Sequence, residues 1–396
     1  MKIRNGTKKT ILFFAHNGGD SHITGAENYL FTVIKESRGQ YHCILISPLK
    51  SMLTAKIEQL GVEVKIIPYP MLWSIWNPND KLLKEEKSFL SDNSIQKLTG
   101  MIKKKKADLV ITNTTVNPMP AMAAKKAGVP VVWFLCEVMQ VNEFTSDAVQ
   151  LINRYSDFIV GISNAVLGPF KKESTTKKLY KLNPTFDMKE KKFNYRKGNR
   201  HKLRNRLKLK DSDRLVCCMA AYVSPLKGFD HYIKMANSLC NTVNDVHFLI
   251  VGKLVDTAYY EECQKLMESL GHKEKFHVLS FVEDVHLIYE AIDIMVIPSL
   301  VDEGFSLVCL ESLAFGKPVV AYHSGGIIEQ MNRTNNNRFL VKKGNIRGLE
   351  HKVSRLLCNP ILRSTVSQSN RKASQRFYGI GYFRKRLLLL YKKVFG

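Results

Sequence analysis

Short apolar runs and stretches with helical spacing alternate along the whole chain. Each apolar run is followed by a polar loop, often with glycine or proline, and then by apolar residues three or four positions apart, which predicts strand, loop and helix in turn. In the first half, strands are predicted at residues 9–15, 42–47, 64–67, 109–112, 131–135 and 158–162. Regular alternation of strands and helices predicts a doubly wound parallel sheet.

The second half repeats this architecture without visible sequence repetition. Its predicted strands are residues 215–219, 247–251, 277–281, 294–297 and 319–322, with helices at 230–239 and 307–314 among them. Between the halves, residues 189–210 carry eleven Lys or Arg against one Glu, and such a change of composition predicts a domain boundary. We therefore expect one domain at 1–187, a second at 188–375, and a closing helix at about 376–396.

Two acids of the second half lie on either side of a predicted helix start, one in the loop before it and one inside the helix. Pro298 ends a strand, Glu303 lies in the following loop, and Glu311 lies inside the helix that begins near Leu307. A helix start offers free N–H groups and a positive dipole end, which suits a phosphate or a network of sugar hydroxyls. Acids that become buried need hydrogen-bond donors, and polyhydroxy ligands supply many.

Three other loops follow predicted strands and carry candidate ligand groups. Lys227 and Gly228 stand at a strand-to-helix turn, where a lysine can hold a phosphate as a point charge. Gly25 belongs to a glycine-containing loop after the first strand, a weak signal for ligand contact. Glu137 follows an apolar strand at the position where such sheets place functional side chains, although an ordinary loop carboxylate explains it equally well.

Charge and length restrict the class of protein. The chain has 396 residues, which favours two domains, and a formal net charge of +25, which points to nucleic acid, an anionic membrane or phosphorylated ligands as partners. Its apolar runs are far shorter than the roughly 20 residues that a membrane-spanning helix needs, and the start is unlike a signal peptide. Eight scattered cysteines without a CxxC pair fit reduced thiols in a cytosolic protein and no zinc site.

Several basic segments allow two interpretations each. Trp73 and Trp76 lie near an apolar stripe of Ile95, Leu98 and Ile102 that leads into four lysines at 103–106. This set could dock on an anionic bilayer, or the stripe could pack on the sheet while the lysines stay solvated. Residues 189–210 favour a solvated linker and helix over a nucleic-acid arm, because only two aromatic residues interleave the charges.

Two further segments have simpler interpretations. The chain end mixes aromatic residues and leucines with Lys and Arg, which predicts an amphipathic helix docked on protein rather than on membrane. Asp211 and Asp213 have the spacing of a metal-nucleotide site, but a turn before the next strand explains them better. No metal is assigned there.

These residues together resemble glycosyltransferase family 4, a group of nucleotide-sugar transferases with the GT-B fold. The resemblance runs from about Ile11 to Val341 and is more specific in the second half than in the first. The matching positions of the first half are Gly25-Ala26-Glu27, Asp108 to Val110, Pro130 to Glu137 and Ser163 to Val166. Those of the second half are Lys227-Gly228, Pro298-Ser299, Glu303-Gly304-Phe305 with Glu311, Gly316, Pro318-Val319, and Gly325-Gly326 with Glu329. The resemblance implies two Rossmann-like domains facing a cleft, with the acceptor on the first, the donor on the second, and the closing helix returning to the first.

The resemblance also implies a role for each site residue. Lys227 would neutralise the departing diphosphate, Glu303 would bind the sugar hydroxyls and Glu311 the ribose. Gly25 would let its loop close over the diphosphate, and Glu137 would join the catalytic group. The other donor-binding positions implied are Ser299, Gly304, Phe305, Ser306, Leu307 and Gly228. Fixed positive charge suits a leaving nucleoside diphosphate, so neither a metal nor a cofactor is expected beyond the nucleotide sugar as co-substrate. Retention of the anomeric configuration is implied by the resemblance alone.

Four positions depart from the family pattern. Ala221 and Tyr222 stand where the family usually has Gly-Arg, so one diphosphate cation is missing. Cys136 stands where a histidine typically helps to place the transferred sugar, and Arg338 stands where glycine is common.

The leading hypothesis is a retaining transferase that moves a hexose from a UDP- or GDP-sugar to a saccharide acceptor, expected to be lipid-linked, in bacterial capsule, exopolysaccharide or lipopolysaccharide assembly. The protein would be cytoplasmic and could associate peripherally with the cytoplasmic face of the inner membrane. It would not bind nucleic acid. A glycoside hydrolase is a rival because it also uses paired carboxylates, but the lysine loop favours a nucleotide sugar. A catalytically weak or inactive protein that binds nucleotide sugars is the alternative, and a nucleic-acid binder ranks third.

Overall fold

A computed structural model describes residues 8–16, 23–173, 178–187, 199–280, 282 and 284–396. The chain divides into two compact units. The first contains residues up to Pro184 together with Arg384–Gly396, and the second contains Thr185–Phe383. The predicted boundary after residue 187 adjoins residues 188–198, which lie outside the described part of the chain.

The first unit is a seven-stranded parallel sheet with helices on its connections. Its strand order is β3-β2-β1-β4-β5-β6-β7, and β1 pairs with β2 on one side and with β4 on the other. The strands are β1 Thr10–Phe14, β2 His42–Ser47, β3 Glu63–Ile66, β4 Leu109–Asn113, β5 Val131–Leu135, β6 Phe158–Gly161 and β7 Leu179–Lys181. The helices are α1 Gly25–Ser37, α2 Met52–Gln59, α3 Leu82–Ser91, α4 Asn93–Lys104, α5 Met119–Ala127, α6 Thr145–Tyr155 and α7 Gly168–Glu173.

The second unit is a six-stranded parallel sheet of the same kind. Its order is β10-β9-β8-β11-β12-β13. The strands are β8 Arg214–Tyr222, β9 Val246–Lys253, β10 Phe276–Leu279, β11 Ile294–Ile297, β12 Val319–Tyr322 and β13 Leu340–Val341. The helices are α8 Asn199–Arg206, α9 Phe229–Cys240, α10 Thr257–Ser269, α11 His286–Ala291, α12 Leu307–Ala314, α13 Gly325–Arg333, α14 Ile346–Leu357 and α15 Pro360–Tyr378. The last helix is α16, Ile380–Phe395, and from Arg384 onward it belongs to the first unit.

The predicted fold class, two doubly wound parallel sheets, is confirmed. Both sheets are apolar and buried along their central strands, because helices cover a parallel sheet on both faces. Two short strands, β7 and β13, were not predicted. The strand predicted at 277–281 begins and ends earlier, and its last predicted residue lies outside the described residues.

The apolar stripe of α4 is not a membrane-docking surface, so that part of the docking hypothesis is wrong. Ile95, Leu98 and Ile102 are all buried, and the same helix contacts α5, where Thr99 donates to the Ala123 carbonyl at 3.3 Å. Lys105 forms an ion pair with Glu63 at 2.7 Å. Trp73 is 62% exposed, at the start of a 3-10 helical turn rather than in an irregular loop.

The basic helix α8 is not simply solvated, which corrects the interpretation of the linker. Arg204 is 1% exposed and donates to the carbonyl oxygens of Ala291 and Lys210. Arg200 donates to Asp293 Oδ1 at 2.9 Å. A buried guanidinium needs such acceptors, so these two arginines attach α8 to the second unit.

Candidate functional site

The candidate site of the second unit lies at the point where its strand order reverses. Strands β8 and β11 are neighbours in the sheet. The chain continues from β8 to β9 on one side of this pair and from β11 to β12 on the other side. In sheets of this kind, ligands bind outside the carboxyl ends of the strands at such a reversal. The loop after β8 carries Lys227, and the loop after β11 carries Glu303.

Lys227 and Glu303 form an ion pair across the two loops. Lys227 Nζ lies 2.7 Å from Glu303 Oε1, and the same oxygen accepts a hydrogen bond from Ser299 Oγ at 2.7 Å. The side chains are 21% and 18% exposed, so each is reachable by a ligand although most of its surface is covered. The structure thus brings together three residues that the sequence selected separately.

Backbone contacts hold the two loops against each other. Leu300 N–H donates to the carbonyl of Leu226 at 2.9 Å. Gly228 has φ +68°, and a Cβ there would lie 2.2 Å from the carbonyl oxygen of Pro298. Position 228 therefore requires glycine both for its left-handed backbone and for this close approach.

A second glycine turn supports the acidic loop from the other side. Gly326 N–H donates to the Glu303 carbonyl at 2.7 Å, and a Cβ on Gly326 would lie 2.3 Å from the Gly304 carbonyl oxygen. Gly325 N–H donates to Asp302 Oδ1, which also pairs with Lys343 at 2.6 Å. The start of α13 thus positions the backbone of residues 302–304.

The start of α12 is capped and anchored by side chains. Ser306 Oγ accepts from Cys309 N–H at 3.2 Å, which is an N-cap. The fully buried Gln330 accepts from Ser306 N–H and donates to the Ser306 carbonyl. Phe305 packs edge-on against Tyr378. Gly304, Phe305 and Ser306 therefore lead in a constrained path to Leu307, the first residue of the helix.

Glu311 lies one turn further along α12 and is half-buried. Burial raises the pKa of the Tyr289 phenol well above its usual value, and the Glu311 carboxylate adds to that rise. Glu303 and Glu311 are thus set apart, one on the loop with a lysine and one on the helix near a tyrosine. This division suits contacts with two parts of one ligand.

The two site residues predicted in the first half, Gly25 and Glu137, lie in the first unit. Gly25 is the exposed first residue of α1, after a capping box formed by Thr24 and Glu27. Residues 17–22 of its loop, including Gly18 and Gly19, lie outside the described residues. The start of α1 is joined to the end of β4, because Asn113 Nδ2 donates to the Ala26 carbonyl at 3.1 Å.

Glu137 follows β5 at the same edge of the first sheet. It accepts from Thr115 N–H at 3.0 Å, and burial raises the pKa of its carboxyl group. Next to it, Cys136 Sγ lies 3.6 Å from Asn113 Oδ1, and burial raises the pKa of this thiol well above its usual value. Position 136 therefore presents a neutral thiol.

Sequence reasoning missed several supporting residues. The register places Tyr222, which stands where the family has arginine, beside Lys253 at the ends of β8 and β9. Ser224 Oγ, three residues before Lys227, is buried and has no hydrogen-bond partner among the described residues. The side chains of Asp302, Ser324 and Gln330 hold the acidic loop in place through hydrogen bonds to backbone groups. No local sequence motif predicts such long-range contacts. Within the described residues, no group of three His, Cys, Asp or Glu side chains is arranged to hold a metal ion.

Comparisons with known proteins concern the family and the fold. Residues 199–373 match the family model "Glycosyl transferases group 1". An uncharacterized glycosyltransferase of Haemophilus influenzae is 30% identical over 154 residues, covering 39% of this chain and 42% of that protein. The capsular polysaccharide biosynthesis glycosyltransferase CapM of Staphylococcus aureus is 25% identical over 146 residues, 37% of each protein. The chain thus spans less than half the length of these curated relatives.

A solved structure matches over a greater length. The crystal structure of Anabaena HepE in complex with UDP-glucose has a TM-score of 0.78 and 20% identity, over 97% of this chain and 99% of that chain. At this identity the likeness shows the fold, two Rossmann-like units of the GT-B type. The chain thus has the GT-B fold, and its residues 199–373, in the second unit, match the family of glycosyl transferases group 1.

Proposed function

We propose that the protein is a retaining glycosyltransferase that moves a hexose from a UDP- or GDP-sugar to a saccharide acceptor. The observation that carries this proposal is the Lys227–Glu303 contact, 2.7 Å long, at the reversal point of the second sheet. A cation and a carboxylate side by side match a ligand in which a diphosphate adjoins a sugar. Retention of configuration is carried over from the family.

Each residue has a role that follows from its position. Lys227 places positive charge where negative charge develops on the departing nucleoside diphosphate, and the backbone N–H groups at the start of α12 add to it. Glu303 accepts hydrogen bonds from sugar hydroxyls, and Glu311 from the ribose. Ser299 and Gly228 position these groups, while Gly304 to Leu307 approach sugar and phosphate through their backbone.

Two residues supply what the family pattern lacks here. Lys253 stands beside Tyr222 in the register and provides a second cation for the diphosphate in place of the missing arginine. Ser224 offers a hydroxyl at the start of the lysine loop. Neither a metal nor another cofactor is needed for the charge neutralisation.

The first unit is proposed to hold the acceptor, with Glu137 and Gly25 at the edge that faces substrate. Burial raises the pKa of Glu137, which suits a group that exchanges a proton with a hydroxyl. The likeness to the capsular transferase CapM favours a saccharide of cell-surface polysaccharide assembly as acceptor, carried on a lipid. All eight cysteines are free thiols, which fits the reducing cytoplasm.

A thermal-shift screen with UDP, GDP and their common hexose conjugates tests the donor part. A ligand that binds only the folded protein raises the Tm, so at least one nucleotide sugar should raise it more than the matching nucleotide does. Transfer is then measured as nucleoside diphosphate release with lipid-linked and free saccharide acceptors. If no nucleotide or nucleotide sugar raises the Tm, the proposal is wrong.

The alternative is a protein that binds nucleotide sugars and transfers them weakly or not at all. It is favoured by Tyr222 and by the neutral thiol of Cys136, which replace two groups of the family pattern. Binding of a donor without nucleoside diphosphate release under any acceptor would select this alternative. An increase in nucleoside diphosphate release by a Cys136→His variant would support this alternative further.

A further inference from the structure

Helix α16 presents a regular exposed surface made of cations and leucines. Its exposed side chains are spaced alternately three positions and one position apart, which places them on one side of the helix. They are Arg384, Lys385, Leu388, Leu389, Lys392 and Lys393, here called the α16 surface. The two leucines are each 39% exposed, and they lie between one pair of cations on either side along the helix.

The opposite side of α16 is fixed to the first unit. Tyr391 is buried and its hydroxyl pairs with Ser37 Oγ at 2.6 Å. Tyr180 hydroxyl donates to the Arg386 carbonyl at 2.7 Å, and Phe395 stacks on Tyr41. The apolar face of the chain end is therefore docked on protein, as predicted, but that prediction did not consider the exposed α16 surface on the other side of the helix.

The charge of this region is entirely positive in sequence. Residues 351–396 contain eleven Lys or Arg and no Asp or Glu. The acid that contacts the α16 surface is Glu36, which accepts two hydrogen bonds from Arg384 and is 7% exposed at its side chain. Its one negative charge does not balance the four cations of the surface.

We propose that the α16 surface binds an anionic lipid bilayer, with the helix lying in the membrane plane. Lysines near an anionic leaflet are attracted to its headgroups, and exposed leucines between them enter the interface. A nucleic acid would engage the cations but gains nothing from two adjacent leucines, so a bilayer is the better partner. None of the helices in the described part of the chain could span a membrane.

This inference specifies the membrane contact of the proposed function and replaces the α4 stripe as its location. The membrane-binding proposal depends on the proposed function in one respect only, namely that a lipid-linked acceptor would give membrane binding a purpose. Vesicle binding does not require the donor site, so its failure would leave nucleotide-sugar binding untouched, and the reverse also holds.

The test is flotation of the full chain with vesicles of phosphatidylcholine alone or mixed with phosphatidylglycerol. The wild type should float with the mixed vesicles at low salt. The triple variant Lys385→Gln, Lys392→Gln, Lys393→Gln should lose about a hundredfold in partition, since each of the three lysines contributes about fivefold. The matched control is Lys97→Gln, Lys103→Gln, Lys104→Gln, which removes three exposed lysines of α4 and should bind like the wild type.

A second pair of substitutions tests the leucines. Leu388→Ser with Leu389→Ser should abolish the part of vesicle binding that persists at high salt, because salt screens the cations and leaves apolar contact. Unchanged Tm and unchanged nucleotide binding show that each variant is folded. The proposal is overturned if the wild type does not bind mixed vesicles, if the control loses as much as the α16 variant, if the leucine variant binds as before, or if an oligonucleotide rather than vesicles is bound through α16.

Discussion

Lys227 Nζ and Glu303 Oε1 lie 2.7 Å apart although 76 positions separate the two residues in the chain. The contact exists because β8 and β11 are neighbours and their carboxyl ends meet at one edge. Each of the two charges neutralises the other. We propose that a donor binds here with its diphosphate at the lysine and its sugar at the carboxylate.

The ion pair should appear as an energetic coupling. We predict that Lys227→Met and Glu303→Gln each destabilise the protein and that the double variant loses less than the sum, with a coupling of about 1 kcal/mol. The reason is that either single change leaves a largely covered charge without its partner. Urea unfolding of the four proteins measures the coupling, and additive losses would contradict a direct interaction.

Gly228→Ala should lower both stability and donor binding. The left-handed backbone alone costs an alanine about 1 kcal/mol, and here the new Cβ would also push against the Pro298 carbonyl. Gly271→Ala is the matched control, since Gly271 has φ +75° and a Cβ there would meet no atom within 4 Å beyond its chain neighbours. Unfolding free energies should fall by about 1 kcal/mol at 271 and by at least about 3 kcal/mol at 228; equal losses would show that the close approach does not matter.

Lys317 should make stability depend on pH in the alkaline range. It donates to the carbonyl of Ile292 at 2.8 Å, yet burial lowers its pKa from 10.5 to about 8. Between these two values the unfolded chain binds more protons than the folded one, so the Lys317 contribution to the free energy of unfolding rises with pH and is constant below about pH 8. The rise amounts to about 3 kcal/mol at most.

The comparison of the wild type with Lys317→Met isolates this contribution, because the other titrating groups are common to both. Urea unfolding at several pH values from neutral to alkaline should give a stability difference that moves in favour of the wild type as the pH rises. A difference that stays constant with pH would mean that Lys317 titrates normally in the folded protein.

Lys253 should act as the second diphosphate cation. We predict that Lys253→Met weakens binding of UDP or GDP by about tenfold, the size expected for one charge-assisted hydrogen bond. Lys265→Met, which removes an exposed lysine of α10, is the control and should bind normally. Titration calorimetry measures both affinities. Should the two variants bind equally well, another group compensates for Tyr222.

The regular parts of the fold were predictable because their apolar patterns are local. The strands at 42–47, 131–135, 294–297 and 319–322 and the helix at 307–314 have the predicted bounds. Strands β7 and β13 are only three and two residues long, too short for any periodicity to appear. The α4 stripe shows the opposite limit, since an amphipathic helix looks the same in sequence whether it packs on a sheet or on a membrane.

The candidate site was also predictable only in part from the sequence. Lys227 and Glu303 were selected from loop patterns and Ser299 from the family resemblance, but their mutual contact depends on strand order, which the sequence does not display. Gln330 and Ser324 support the acidic loop from more than twenty positions away, and no motif connects them. The roles of Gly25 and Glu137 remain predictions about the first unit.

The most direct test of a donor site is the Tm shift produced by nucleotides and nucleotide sugars in the wild type, Lys227→Met and Glu303→Gln. Lys227 should serve the diphosphate and Glu303 the sugar. We therefore predict that Lys227→Met loses the shift with UDP or GDP and with the matching nucleotide sugar, whereas Glu303→Gln keeps the nucleotide shift and loses only the increment due to the sugar. Equal effects of both ligands in both variants, or no shift in the wild type, would contradict this division of roles.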